Sequence, residues 1–179
     1  MKKKSVFMRG AIVSALFAVT IPVALGRTYA NNDPTVGHNS VARMDDPEAV
    51  YQGARIVHNV TVKGQKGMRV HAKFTVKHGH DVACKMIAYF YYDDSDNTPL
   101  IAGDARYRTK TGNVSAQTNF TPAYDPAVYN DLQIFIPYDA LNMESGEEHD
   151  LKFYLALYDT EGERFFGKSG WYKFQLTMP

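Results

Sequence analysis

Cysteine is all but missing from this chain: Cys84 is the single one in 179 residues. No internal disulfide can therefore form, and the fold must be held by packing. The short motifs of common enzyme chemistries are absent as well. There is no Gly-x-Ser-x-Gly elbow, no phosphate-cradling glycine loop and no His-Glu-x-x-His zinc helix. Helical periodicity is lacking too, since no stretch keeps an i, i+3, i+4, i+7 rhythm over about ten residues. Charge of one sign is not in excess: twenty Lys and Arg face nineteen Asp and Glu, a net of +1.

What the chain does contain begins with a segment unlike the rest. Lys2, Lys3, Lys4 and Arg9 precede an apolar run over residues 11–25, interrupted by Pro22 and followed by Thr28-Tyr29-Ala30. That order of cationic start, oily middle and small final residue predicts a secretory signal peptide over residues 1–30. The competing reading is a retained anchor, against which the run of about 15 residues falls short of the roughly 20 that span a bilayer. Removing residues 1–30 takes away five cations and no acid, so 20 − 19 = +1 becomes 15 − 19 = −4. A mildly acidic domain is a poor partner for nucleic acid or an anionic membrane. The expectation is an exported protein, periplasmic or extracellular. Residues 31–52 are polar and aperiodic, with Pro34, Gly37 and Pro47, and read as a flexible leader. Residues 53–179 suit one domain with one core.

Within that domain the dominant rhythm has period two. Met68, Val70, Ala72, Phe74 and Val76 alternate with Arg69, His71, Lys73, Thr75 and Lys77. After a polar turn, Val82, Cys84, Met86, Ala88 and Phe90 repeat the pattern, and the two runs are expected to pair as an antiparallel hairpin with one oily face. A lone hairpin is not stable in water, so the remaining strands should supply a second layer. Residues 56–62, 114–120 and 132–136 read as further strands, with a short edge strand within residues 100–109 and a crossover loop over residues 121–131. A helical turn is expected after Pro137. Residues 151–158 form the second strong strand, with Leu151, Phe153, Leu155 and Leu157 on one side and Lys152, Tyr154, Ala156 and Tyr158 on the other. Residues 164–166 and 171–176 complete seven or eight strands. Many short strands at close spacing predict an all-β fold, a single antiparallel β-sandwich.

Two stretches carry a family resemblance. Leu132-Gln133-Ile134-Phe135-Ile136-Pro137-Tyr138-Asp139-Ala140-Leu141 is a strand running into a Pro-Tyr-acid turn, and residues 155–167 contain a strand ending in Tyr158-Asp159 followed by a turn and Phe166-Gly167. Over roughly residues 88–176 the chain resembles a C2 domain, and it is also similar to small exported bacterial β-domains, a likeness that implies no activity. The fold expected is a sandwich, C2-like or immunoglobulin-like; the C2 resemblance implies that its loop acids bind calcium, possibly at a membrane surface. The acids it points to are Asp81, Asp125, Asp159 and Glu161. They depart from the family pattern in that only Asp159 of the last loop is an aspartate, while calcium needs six to eight oxygens.

Other residues suggest chemistry directly. His78, His80, Asp81 and Cys84 are zinc-ligand types, but alternation puts Cys84 on the inward face, where a thiol acts as a small hydrophobe. The same placement argues against a thiol nucleophile. Asp93, Asp94 and Asp96 form an acidic loop without the glycine and distal glutamate of an EF-hand. The tyrosines are the strongest candidates. Tyr89, Tyr91, Tyr154 and Tyr158 all fall on the outward side of their strands, where they either pack under a second cover or form a platform for a carbohydrate, peptide or protein partner. The sequence thus leads to a non-enzymatic binding module with no cofactor, and calcium as the one candidate ion.

Overall fold

The computed structural model of the chain describes residues 46–179. The signal segment and most of the leader lie outside the described residues. Among the described residues there are eight strands. β1 (Glu48–Val62), β2 (Gln65–Lys77) and β5 (Ala127–Pro137) form one sheet in the order β1-β2-β5. β3 (Cys84–Tyr92), β4 (Ser115–Phe120), β6 (Glu148–Asp159), β7 (Arg164–Lys168) and β8 (Tyr172–Thr177) form the other, in which β3 lies between β4 and β6. All pairings are antiparallel, and the expected all-β sandwich is what the chain adopts. Among the described residues no helix is long and apolar enough to cross a membrane.

The strongest alternating runs do not pair with each other. β2 and β3 were expected as a hairpin, yet they sit in opposite sheets. The reason is that each run has one wholly apolar face, and facing them across the interior buries both, whereas pairing them would leave one wide oily face to be covered. The connection makes this crossing with two non-glycine residues at positive φ, His78 (56°) and Asp81 (59°). It is tied to the loop before β5 by Asp81 N donating to Pro122 O at 2.8 Å. The tight hairpin is instead β1–β2, where Lys63 (φ 49°) and Gly64 (φ 80°) link the Val62–Gln65 pair. Two positive-φ residues in a two-residue loop match the twist of the flanking strands.

Met68, Val70, Phe74 and Val76 from one sheet meet Met86, Ala88, Phe90, Leu155 and Leu157 from the other, all fully buried. At the centre Phe74 stacks on Tyr129 (4.9 Å between centroids) and meets Phe120 (5.6 Å) and Tyr51 (5.9 Å). The Tyr51 hydroxyl donates to Leu155 O at 3.3 Å, joining the two sheets through a polar contact. Cys84 is buried as its place in the alternation requires.

Three boundaries differ from the sequence reading. β1 begins at Glu48, inside the segment read as leader, and carries register shifts between Tyr51 and Gly53 and between Val57 and Val60. β5 begins at Ala127 rather than Leu132, because a register shift between Ala72/Phe74 and Leu132/Tyr129 breaks the alternation that marks a strand. The edge strand expected within residues 100–109 is only two isolated bridges, at Ile101 and Arg108, between which Asp104 caps a 3-10 turn at Ala105–Tyr107. Leu100 still fills the core there, its N–H donating to Phe90 O at 3.1 Å and its C=O accepting from Val114 N at 2.7 Å. The helical turn expected after Pro137 is present as a 3-10 turn, Tyr138–Leu141.

Phe74 is the contact on which the two sheets close. Phe74→Ala is expected to lower unfolding free energy by about 3–5 kcal/mol, read as a fall in the urea midpoint at unchanged slope. A loss below about 1 kcal/mol would show that the aromatic cluster is not what joins the sheets.

Candidate functional site: an aromatic groove on the outer sheet face

The register of β3 against β6 sets Tyr89 directly opposite Tyr154, with Ile87 opposite Ala156 and Lys85 opposite Tyr158. Because alternate residues of a strand point to opposite faces, the residues that interleave with the core form one outer row. Tyr89 stacks on Tyr154 at 5.1 Å and Tyr91 stacks on the same ring at 5.9 Å. Trp171 closes the group edge-on, 5.1 Å from Tyr91 and 5.2 Å from Tyr154. Tyr158 is not part of this cluster. It packs instead against Phe165 of β7, its partner across the strands, at 5.1 Å.

Between these two aromatic groups the side chains are small. Ala156 sits in the outer row where the neighbouring positions carry Tyr154 and Tyr158, while Gly167, opposite Leu157, lends only its backbone, since a side chain there would point inward at Ala49, Tyr51 and Leu157. The step down produces a groove of about 680 Å³. Tyr89, Tyr91 and Tyr154 line it from β3 and β6, and Phe165 and Lys168 from β7. Thr109, Lys110, Thr111 and Asn113, from the turn before β4, complete the lining. That turn is rigidified by its own polar contacts: Thr109 and Thr111 hydroxyls lie 2.9 Å apart, and Asn113 N donates to Thr109 Oγ1 at 3.1 Å. A volume of this size lies within the range of small-ligand sites.

A single buried serine shapes the groove's far wall. β6 is paired along one side by β8 over Glu148–Phe153 and by β7 over Ala156–Asp159, so something must satisfy Leu155 between them. Ser169 does so: its N–H donates to Leu155 O at 2.8 Å, and its hydroxyl accepts from Leu155 N at 2.9 Å while donating to Gly170 O at 2.8 Å. The chain therefore changes strands at Ser169. Lys168 just before it and Trp171 just after it are thereby delivered to the two sides of Tyr154. Lys168 Nζ stands 4.2 Å from the centre of the Tyr154 ring, and Lys152 Nζ stands 5.2 Å from that of Trp171.

The phenols keep their protons firmly. Partial burial raises the pKa of Tyr89, with the neighbouring Tyr91 adding to it. Burial raises Tyr154 further, helped by a hydrogen bond to Tyr91. At neutral pH Tyr89 and Tyr154 thus present neutral hydroxyls.

Of the sequence-expected residues, Tyr89, Tyr91 and Tyr154 come together and Tyr158 stands apart. The alternation named the tyrosines, but it gave no sign of Lys110, Phe165, Lys168 or Trp171, which enter through the turn before β4 and the β7–β8 handover. The one available signal was compositional: the sole tryptophan follows a Ser-Gly break in a strand-rich segment.

The acids expected to bind calcium share one end of the sandwich, since Cys84 pairs with both Phe120 and Asp159. Each is engaged locally. Asp125 accepts from His78 N at 2.9 Å, and Asp81 lies 3.1 Å from His80 Nδ1. Asp159 is buried and accepts from the amides of Glu161 (3.0 Å) and Gly162 (2.9 Å), which makes its carboxylate the cap of the β6–β7 turn. Glu161 is exposed on that turn. Among the described residues no group of three or more His, Cys, Asp or Glu side chains is placed to hold a metal ion. The acidic loop after β3 is a folded turn in which Asp94 accepts from Thr98 N at 3.0 Å and Asp93 pairs with Lys173 at 2.9 Å.

Two measurements follow from this geometry. Ser169→Ala leaves the Leu155 N–H without its partner and is expected to cost about 1–3 kcal/mol, with a red shift of Trp171 fluorescence as the ring loses its seat; unchanged emission would remove the positioning role. The raised tyrosine pKa values fix the sign of an alkaline effect. The folded protein holds phenolic protons that the unfolded chain sheds near pH 10, so stability present below that pH falls as pH rises above it. Native protein at about pH 11 should show less tyrosinate absorbance at 295 nm than urea-unfolded protein at the same pH; equal absorbance would contradict the shielding of these rings.

No protein-family model matches the chain, and a comparison with curated proteins found no match.

Proposed function

We propose that this protein is an exported, non-enzymatic binding module that holds a carbohydrate in the aromatic groove on the outer face of β3 and β6. The observation that carries the reading is the groove itself: a depression over Ala156, walled by tyrosines and by the Thr109, Thr111 and Asn113 turn. Sugar rings present both apolar C–H faces and many hydroxyls, and this lining offers aromatic surface together with phenol, hydroxyl and amide groups.

Among the partners expected from sequence, carbohydrate fits better than an extended peptide or a protein strand. β3 lies between β4 and β6, and β6 is paired on both sides, so the groove floor offers no unpaired backbone. A peptide bound in extended form gains most from main-chain hydrogen bonds to a free strand edge. A saccharide is recognised by side chains alone, which is what this face supplies.

On a glycan array or in calorimetric titration with an array hit, Tyr89→Ala and Tyr154→Ala are each expected to weaken binding at least tenfold. Ala156→Phe, which fills the groove from its floor, should abolish it. Tyr158→Ala serves as the contrasting variant and should bind as the parent does, because its ring lies outside the groove. Undiminished binding by Ala156→Phe, with its melting temperature within a few degrees of the parent, would remove the groove from the function.

A further inference from the structure

The charged lining of the groove has one sign. Lys110 and Lys168 are on its walls, and no Asp or Glu is among its lining residues. On the β8 side of the same aromatic cluster the lysines are neutralised: Lys173 Nζ lies 2.9 Å from Asp93 Oδ2, and Lys152 Nζ lies 3.7 Å from Asp93 Oδ1 and donates to Asp94 O at 2.7 Å. For Lys110 and Lys168, among the described residues, no carboxylate stands within ion-pairing distance. Lys168 is moreover held in place, because its ammonium rests 4.2 Å from the Tyr154 ring centre and its strand ends at the Ser169 contact one residue later.

Two cations on walls from opposite sides of the groove, Lys110 on the turn before β4 and Lys168 on β7, make it complementary to an anion placed between them. Resting on the carbohydrate reading above, we propose that the ligand is an acidic saccharide, one whose sugar rings bear carboxylate or sulfate groups. The rings lie along the tyrosine and Phe165 walls, and the anionic groups meet Lys110 on the turn before β4 and Lys168 on β7. Neutral phenols are the right companions for such a ligand, since Tyr89 and Tyr154 donate hydrogen bonds without adding a competing negative charge.

Fully methyl-esterified oligogalacturonate offers a control in which the rings are retained and the charge is removed. Calorimetric titration of the intact domain should show oligogalacturonate binding about tenfold more tightly than its methyl ester at low salt, with the difference shrinking as ionic strength rises. The double variant Lys110→Met, Lys168→Met, which keeps the aliphatic stems, should lose the preference while its affinity for the ester stays the same. Dextran sulfate against dextran asks the same question with sulfate as the anion, and a preference confined to one pair identifies which group the groove takes. Equal affinity for acid and ester, together with equal affinity for dextran sulfate and dextran, overturns the anionic ligand and leaves a neutral-sugar module standing. Failure of every acidic and neutral saccharide to bind overturns both readings together.

Discussion

The pleat of the two central strands is the constraint on which the molecule depends. A strand cannot send consecutive side chains to the same side, so every residue that β3 and β6 give to the interior commits its neighbour to the outer face. Leu155 and Leu157 lock the sheets together, and Tyr154, Ala156 and Tyr158 are the necessary other half of the same strand. Core and groove are two readings of one backbone. A slip of one residue in the β3–β6 register would turn Tyr154 inward and Leu155 outward, losing both at once. The absence of a disulfide sharpens this, because packing of Phe74, Tyr129 and Phe120 is what keeps the second sheet pressed against those inward residues.

Period-two alternation was legible wherever one face is fully buried. It located the inward sets of β2, β3 and β6 and, by subtraction, three of the groove tyrosines. It failed at two kinds of place. Where a register shift inserts an extra residue, as in β5 between Tyr129 and Leu132, parity is lost and the segment reads as loop although it pairs with β2 on both sides of the shift. Where the choice lies between partners of equal oiliness, alternation says that a strand has a buried face but not what covers it. Residues 68–77 and 82–90 thus carry the pattern of a hairpin, yet they are the two facing layers. That decision is made by the positive-φ connection at His78 and Asp81 and by the competition of β1 and β5 for the edges of β2.

The site was legible in part for the same reason. Tyr89 and Tyr154 belong to strands whose register follows from their own pattern. Lys110 and Lys168 are set by features that no local rhythm encodes: a hydroxyl-braced turn for one, a strand handover at Ser169 for the other. The loop acids show the opposite error. Asp81, Asp125 and Asp159 do converge on one end of the sandwich, yet each is already occupied by a neighbouring amide or histidine. Proximity of carboxylates in a turn-rich region is met first by the need to satisfy backbone N–H groups.

The handover at Ser169 has a further effect on how this protein lives beside copies of itself. A twelve-residue strand such as β6 would normally be flanked by one long neighbour, whose outer side would offer an unbroken ladder of bare amides and carbonyls. Here that flank is divided between β7, of five residues, and β8, of six, with Ser169 and Gly170 between them. Foreign chains seeking to extend the sheet find only short, interrupted rungs, and the two register shifts in β1 interrupt the opposite sheet's margin in the same way. The device that seats Lys168 and Trp171 therefore also guards a disulfide-free sandwich against stacking into fibres.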